Sequence, residues 1–158
     1  MSDNSSVSPE EAVSTPRQGT ATVTNAWGVA LAQITLRHRR GNDPSREEQM
    51  TFTSLGVNET SAAMPFTYET GAGSPRDYWW ITFLTVGGTQ WSCKDNFYCS
   101  VSSSDTGAVA LAVRADTKTM TVSFSRSSGC SVGLSQLVLS PEGSSPEVAS
   151  PEVASPDA

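Results

Sequence analysis

The stretch Asp77-Tyr78-Trp79-Trp80-Ile81-Thr82-Phe83-Leu84-Thr85-Val86, followed by Gly87-Gly88, decides the fold. In an extended strand, successive side chains point to opposite faces of the sheet. Trp79, Ile81 and Phe83 therefore share one face, and Tyr78, Trp80 and Leu84 the other. The first face suits a core. The second is more aromatic than a strand with one solvated face requires. Gly87-Gly88 then signals a hairpin into residues 89–93, which carry Trp91.

The same two-residue period recurs along the chain. Residues 20–26, 31–38, 49–55, 62–70, 77–86, 89–93, 97–103, 108–115, 118–125 and 134–140 read as short strands. Val109, Leu111 and Val113 are expected in the core, with Ala108, Ala110 and Ala112 behind them. Met120, Val122 and Phe124 make a matching stripe, joined by Ile34 with Leu36 and by Met50 with Phe52. Pro65 lacks an amide donor, so its strand belongs at an edge or a bulge. Residues 115–118, "ADTK", read as a tight turn. No helical period competes with these strands. The expected fold is all-β: a single sandwich of nine or ten short antiparallel strands with disordered termini.

Charge divides the chain of 158 residues into three parts. Residues 1–19 and 141–158 hold all of the net charge of -6, because residues 20–140 balance nine acids with nine bases. The end segment repeats Ser-Pro-Glu-Val-Ala from Ser145 and Ser150, and proline at every fifth position opposes helix and central strand. The expected organisation is a disordered acidic tail over 1–19, a β-sandwich over 20–140 and a disordered repeat tail over 141–158. Ser-Pro and Thr-Pro pairs in both tails suit proline-directed kinases, or act simply as solvating sequence. A neutral middle argues against a nucleic-acid partner. No apolar run approaches a transmembrane segment, and the N-terminus has no signal-peptide pattern, so the expected location is cytoplasmic. Cys93 and Cys99 flank a polar segment that could form a disulfide-closed hairpin tip. Free thiols are the expectation for a cytosolic chain.

Several landmarks occur in a fixed order: Val23-Thr24-Asn25, "ITLRHRRGNDPSREEQMTF" (34–52), "YETGAGSPRDYWWITF" (68–83), "KDNFYCSVSSSDTGAV" (94–109) and "TMTVSFSRSSGCSVGLS" (119–135). Together they resemble the domain family named in nematodes for proteins up-regulated in long-lived insulin-receptor mutants, which has many fungal relatives. The resemblance implies a β-sandwich that pairs into dimers and is remotely similar to the aegerolysins. Those are small acidic proteins, several of which bind membrane sphingolipids. The family has no established catalytic residues, so none is carried over. The acidic tails are additions here, and a long insert carried by some members is absent.

Candidate sites fall into three groups. For catalysis, His38 is the sole histidine, and flanking Arg37, Arg39 and Arg40 are expected to lower its pKa. It reads equally as an ordinary surface residue. Glu47 and Glu48 point apart in a strand, Ser127 to Ser131 reads as a turn, and no nucleophile elbow, phosphate loop or metal-ligand cluster is present. No catalytic residue, metal or cofactor is expected. For anion binding, Arg37, Arg39 and Arg40 could hold phosphate headgroups, or could pair with Asp43, Glu47 and Glu48. For apolar recognition, Tyr78, Trp80 and Trp91 could face a protein, lipid or glycan, or could pack internally. Asp95-Asn96 and the 102–107 loop read as Asx turns rather than calcium loops. The expected protein is a non-enzymatic binder forming a homo- or hetero-dimer. The alternative is binding of membrane lipid headgroups (sphingolipid) or glycan.

Overall fold

The computed structural model describes residues 15–137. They form ten strands in two five-stranded sheets, and the only helical element among them is a 3-10 turn at Pro44–Arg46. The strands are β1 (Thr15–Ala26), β2 (Leu31–Arg40), β3 (Glu47–Leu55), β4 (Met64–Thr70), β5 (Asp77–Thr85), β6 (Gln90–Ser92), β7 (Ala108–Arg114), β8 (Thr119–Ser123), β9 (Cys130–Gly133) and β10 (Ser135–Leu137). One sheet runs β4-β1-β7-β8-β9, and the other β10-β6-β5-β2-β3. This is the sandwich that the alternating pattern implies.

The core lies between the sheets. Trp79, Ile81 and Phe83 of β5 meet Leu111 and Val113 of β7, Met120 and Val122 of β8, and Ile34 and Leu36 of β2 in one buried cluster. Met50, Phe52 and Phe124 pack only partly buried against it. Pro65 sits on β4, an edge strand, where a missing amide costs no ladder bond. Gly88, with φ 97°, supplies the left-handed residue of the β5–β6 hairpin.

The structure corrects four local expectations. β1 begins at Thr15, five residues before the expected strand, and its pairing with β7 is parallel rather than antiparallel. Thr20 of β1 aligns with Ala108 of β7, a pairing that requires the chain to leave the sheet and return. Residues 97–103 are not a strand: they touch β5 through a single bridge between Tyr98 and Tyr78. Their backbone serves instead as an irregular strap along β5, with Trp79 N–H donating to Phe97 and Cys99 N–H to Asp77. Conversely, Cys130–Gly133, read as part of a turn, forms edge strand β9. Of the expected last strand, Ser135–Leu137 forms β10, and residues 138–140 lie outside the described residues. Residues 1–14 and 138–158, including the repeat tail and most of the N-terminal tail, lie outside the described residues.

The 102–107 loop is pinned by Asp105, whose carboxylate accepts from Ser102 N–H, Arg126 N–H, Ser127 N–H and the Ser127 hydroxyl. Burial pulls this carboxyl upward, but the bonds from Ser127, Ser102 and Arg126 together hold it well below the ordinary carboxylate range. A lowered pKa stabilises the fold above the unfolded value, about 3.9, and that contribution disappears as pH falls through the folded value. Asp105→Asn is expected to cost about 1–3 kcal/mol at pH 7, with the gap to wild type narrowing under strong acid. Urea denaturation from pH 7 to pH 2 checks this, and a gap that widens in acid would contradict it.

Candidate functional site

Along β2, Arg37 and Arg39 point outward while Leu36 and His38 point into the core. The β2–β5 register sets Arg37 opposite Trp80 and Arg39 opposite Tyr78. Residues paired across an antiparallel ladder share a face, so these four side chains occupy the outer face of the second sheet. The Arg37 guanidinium lies 4.9 Å from the Trp80 ring centroid. Arg39 Nε donates to Glu47 Oε1 at 2.9 Å. Tyr78 packs against Tyr98 with centroids 5.7 Å apart, and Arg76 covers Tyr98 at 4.3 Å. The second aromatic face of β5 is therefore a half-exposed layer of guanidinium and aromatic stacks.

Burial lowers the pKa of Arg37, and Arg39 adds repulsion, while Glu47 and Asp95 act the other way. Arg37 keeps its charge at any physiological pH, because a guanidinium starts far above that range. Each exposed cation–π contact contributes about 0.5–1 kcal/mol, enough to hold a side chain in place. The surface is thus organised before any partner arrives.

Two residues expected at this site lie elsewhere. Trp91 aligns with Phe83, which places it on the inner face. There it packs edge-on against Trp27 at 5.0 Å, and its indole N–H finds no acceptor among the described residues. Arg40 reaches Glu69 of β4 at 2.8 Å, helping to tie the two sheets together. Arg76 and Tyr98 were missed by the sequence reading. Tyr98 looked like one residue of a strand, and only the strap shows where its ring goes.

His38 requires the largest correction. It is fully buried, with Nδ1 2.7 Å from Glu48 Oε1 and Nε2 2.7 Å from Asp77 Oδ1. Phe66 and Trp79 flank the ring, each with centroids 4.7 Å away. Burial alone lowers the pKa of the imidazolium, but hydrogen bonds and charge from Asp77 and Glu48 outweigh it, so the pKa is raised. The arginines flanking it in sequence do not set its protonation: Arg37 and Arg39 lie on the opposite face, and Arg40 is engaged with Glu69.

The clamp extends in both directions. Glu48 Oε2 accepts from Thr67 N–H of β4, and Asp77 Oδ2 accepts from Val101 N–H of the strap. A protonated ring donating through both nitrogens joins β2, β3, β4, β5 and the strap. It has no free nitrogen to offer a substrate.

The structure departs from the free-thiol expectation, and the bridge it holds is not the Cys93–Cys99 alternative either. Cys99 of the strap is bonded to Cys130 of β9, with Cα atoms 6.1 Å apart, while Cys93 is free and buried. Burial raises the pKa of the Cys93 thiol. A separate open groove of about 430 Å³ is lined by Phe52 to Leu55 and Glu59 to Ala62.

No family model and no curated protein matches this chain.

Proposed function

We propose that the protein acts by binding rather than by catalysis, pairing with a protein partner through the outer face of β2 and β5. The partner is a second copy of the chain or another protein. The observation that carries this reading is Trp80, partly buried on the outer sheet face with Arg37 stacked upon it. Aromatic and arginine side chains are enriched among the residues that dominate interface energetics. A flat, prearranged surface suits another protein better than a small molecule, which favours a concave pocket.

Light scattering tests self-pairing, expected as twice the chain mass of 16.7 kDa. An affinity pull-down tests a different partner. Trp80→Ala is expected to weaken either complex about 30-fold, equivalent to about 2 kcal/mol for an anchor residue. Unchanged affinity would remove the outer face from the account.

One observation favours a second reading. Arg37, Arg39 and Arg76 share the face with Tyr78 and Trp80, so guanidinium donors lie beside amphipathic rings. That combination suits a lipid headgroup and the membrane interface, in keeping with the aegerolysin-like resemblance. A glycan could stack on the same rings. Headgroup-selective pelleting with sphingomyelin vesicles, lost in Arg37→Ala with Arg39→Ala, would favour this reading over a protein partner.

A further inference from the structure

We infer that the free edge of β3 takes up an extended segment of another protein, alternating basic and apolar residues, as an added strand. The first observation is which backbone groups face outward. Trp79 N–H donates to Phe97, Cys99 N–H to Asp77 and Cys93 N–H to Ile81, so the odd-numbered residues of β5 direct their backbone away from β2. The even-numbered Tyr78, Trp80 and Thr82 face β2, opposite Arg39, Arg37 and Thr35. Ile34, Leu36 and His38 then face β3, where they meet Phe52, Met50 and Glu48. β3 ends its sheet, so the N–H and C=O groups of Gln49, Thr51 and Thr53 point out of it.

The second observation is that, of the described sheet edges, this one is unguarded. Exposed edges are normally blunted by proline, by lysine or by shortness. β4 carries Pro65, and its Thr67 N–H is taken by Glu48. β9 and β10 have only four and three residues. β3 has nine, with no proline, lysine or arginine, and its left-handed residue, Ser54 (φ 76°), comes only after Thr53. On its inner side Met50 and Phe52 are only partly buried, apolar surface that an added strand covers.

The third is the groove of about 430 Å³ at the end of that edge, with Phe52 to Leu55 on one wall and Glu59 to Ala62 on the other. Asn25 N–H donates to Glu59 and Ser61 N–H to Val23, so Thr60 between them directs its backbone away from β1. A segment lying along β3 therefore runs into a cleft between two strand edges. The cleft is lined by Glu59 and by no basic side chain, and Gly56 N–H holds Glu59 Oε1 in place. Charge decides the occupant. A second copy pairing antiparallel through its own β3 would bring that strand's acidic end beside Glu59, whereas a basic segment is attracted there. Main-chain bonds supply the affinity of such an added strand, and its alternate side chains the specificity.

The test is amide hydrogen exchange, read by nuclear magnetic resonance on the full chain, with an end-blocked peptide alternating lysine and valine. At saturation the peptide is expected to slow exchange at Thr51 and Thr53 about tenfold while the amides of β9 are unchanged. Thr51→Pro removes an outward amide and no ladder bond, and is expected to weaken the peptide about tenfold. Glu59→Gln keeps an acceptor for Gly56 N–H, and is expected to weaken it about threefold. Methylating alternate peptide amides should abolish the protection in one phase and spare it in the other. No protection of β3, or equal protection by a peptide alternating glutamate and valine, would overturn the inference. Slowed exchange at Thr51 and Thr53 that grows with protein concentration in the absence of peptide would also overturn it, by assigning the edge to a second copy. The edge and the Trp80 surface carry different residues, so this readout and the Trp80→Ala pull-down fail independently.

Discussion

Asp77→Ala is expected to remove about 3–5 kcal/mol of folding stability, the range for breaking a buried charged pair by deleting one member. The side chain accepts from His38 through Oδ1 and from Val101 N–H through Oδ2, and it is fully buried. Alanine leaves both donors facing a void with no water to replace the carboxylate. Asp77→Asn keeps the shape and one acceptor, so its loss should be smaller. Urea denaturation checks the order. A cost below about 1 kcal/mol for the alanine variant would show that the clamp carries little energy.

The same clamp has a pH signature. The pKa of His38 is raised, so the folded chain holds the proton more tightly than the unfolded chain does. Its contribution is fully present below the unfolded value, about 6.5, and disappears as pH rises through the higher folded value. Stability is therefore expected to fall on the alkaline side of about pH 6.5, with the decline absent from His38→Gln. A wild type that instead gains stability over that window would mean that the ring is neutral in the fold. The groups facing His38 are Asp77 and Glu48, with Phe66 and Trp79 as its apolar neighbours.

The alternation of β5, β7 and β8 made the sandwich legible, because a period of two determines which side chains are buried before any pairing is known. The same parity contained a signal for the clamp. Asp77 precedes Trp79, Ile81 and Phe83 at the inward positions of β5; His38 follows Ile34 and Leu36 on β2; Glu48 precedes Met50 and Phe52 on β3. A charged group in phase with an apolar stripe must find a partner inside. Parity alone cannot identify that partner, because strand order and register depend on contacts distant in sequence. For the same reason Trp91 looked like a member of the aromatic face, when its one-residue offset from Gln90 turns it inward. The strap at 97–101 was the hardest part to read. Its alternation resembles a strand, yet side-chain bonds from Asp77 and a disulfide shape it more than a ladder does.

Cys130→Ser is expected to lower stability by about 3–4 kcal/mol, the chain-entropy value for a crosslink closing the 31-residue separation from Cys99. The effect should act mainly through the unfolded chain. Each half of the bridge is already held in the fold by other contacts. Asp77 holds the strap through Cys99 N–H and Val101 N–H, and the Trp79 indole donates to the Cys99 carbonyl. Asp105 holds the other side through Arg126 and Ser127. Reduction therefore releases entropy in the denatured ensemble while leaving these native contacts in place. Wild type under a dithiol reductant should match Cys130→Ser in its urea midpoint, and the variant should not respond to the reductant. Near-ultraviolet circular dichroism, to which buried Trp79 and Trp27 contribute, should be unchanged by reduction in native buffer. A lost aromatic signal would show that the bridge also holds the folded strap, and an unmoved midpoint would remove its contribution to stability altogether.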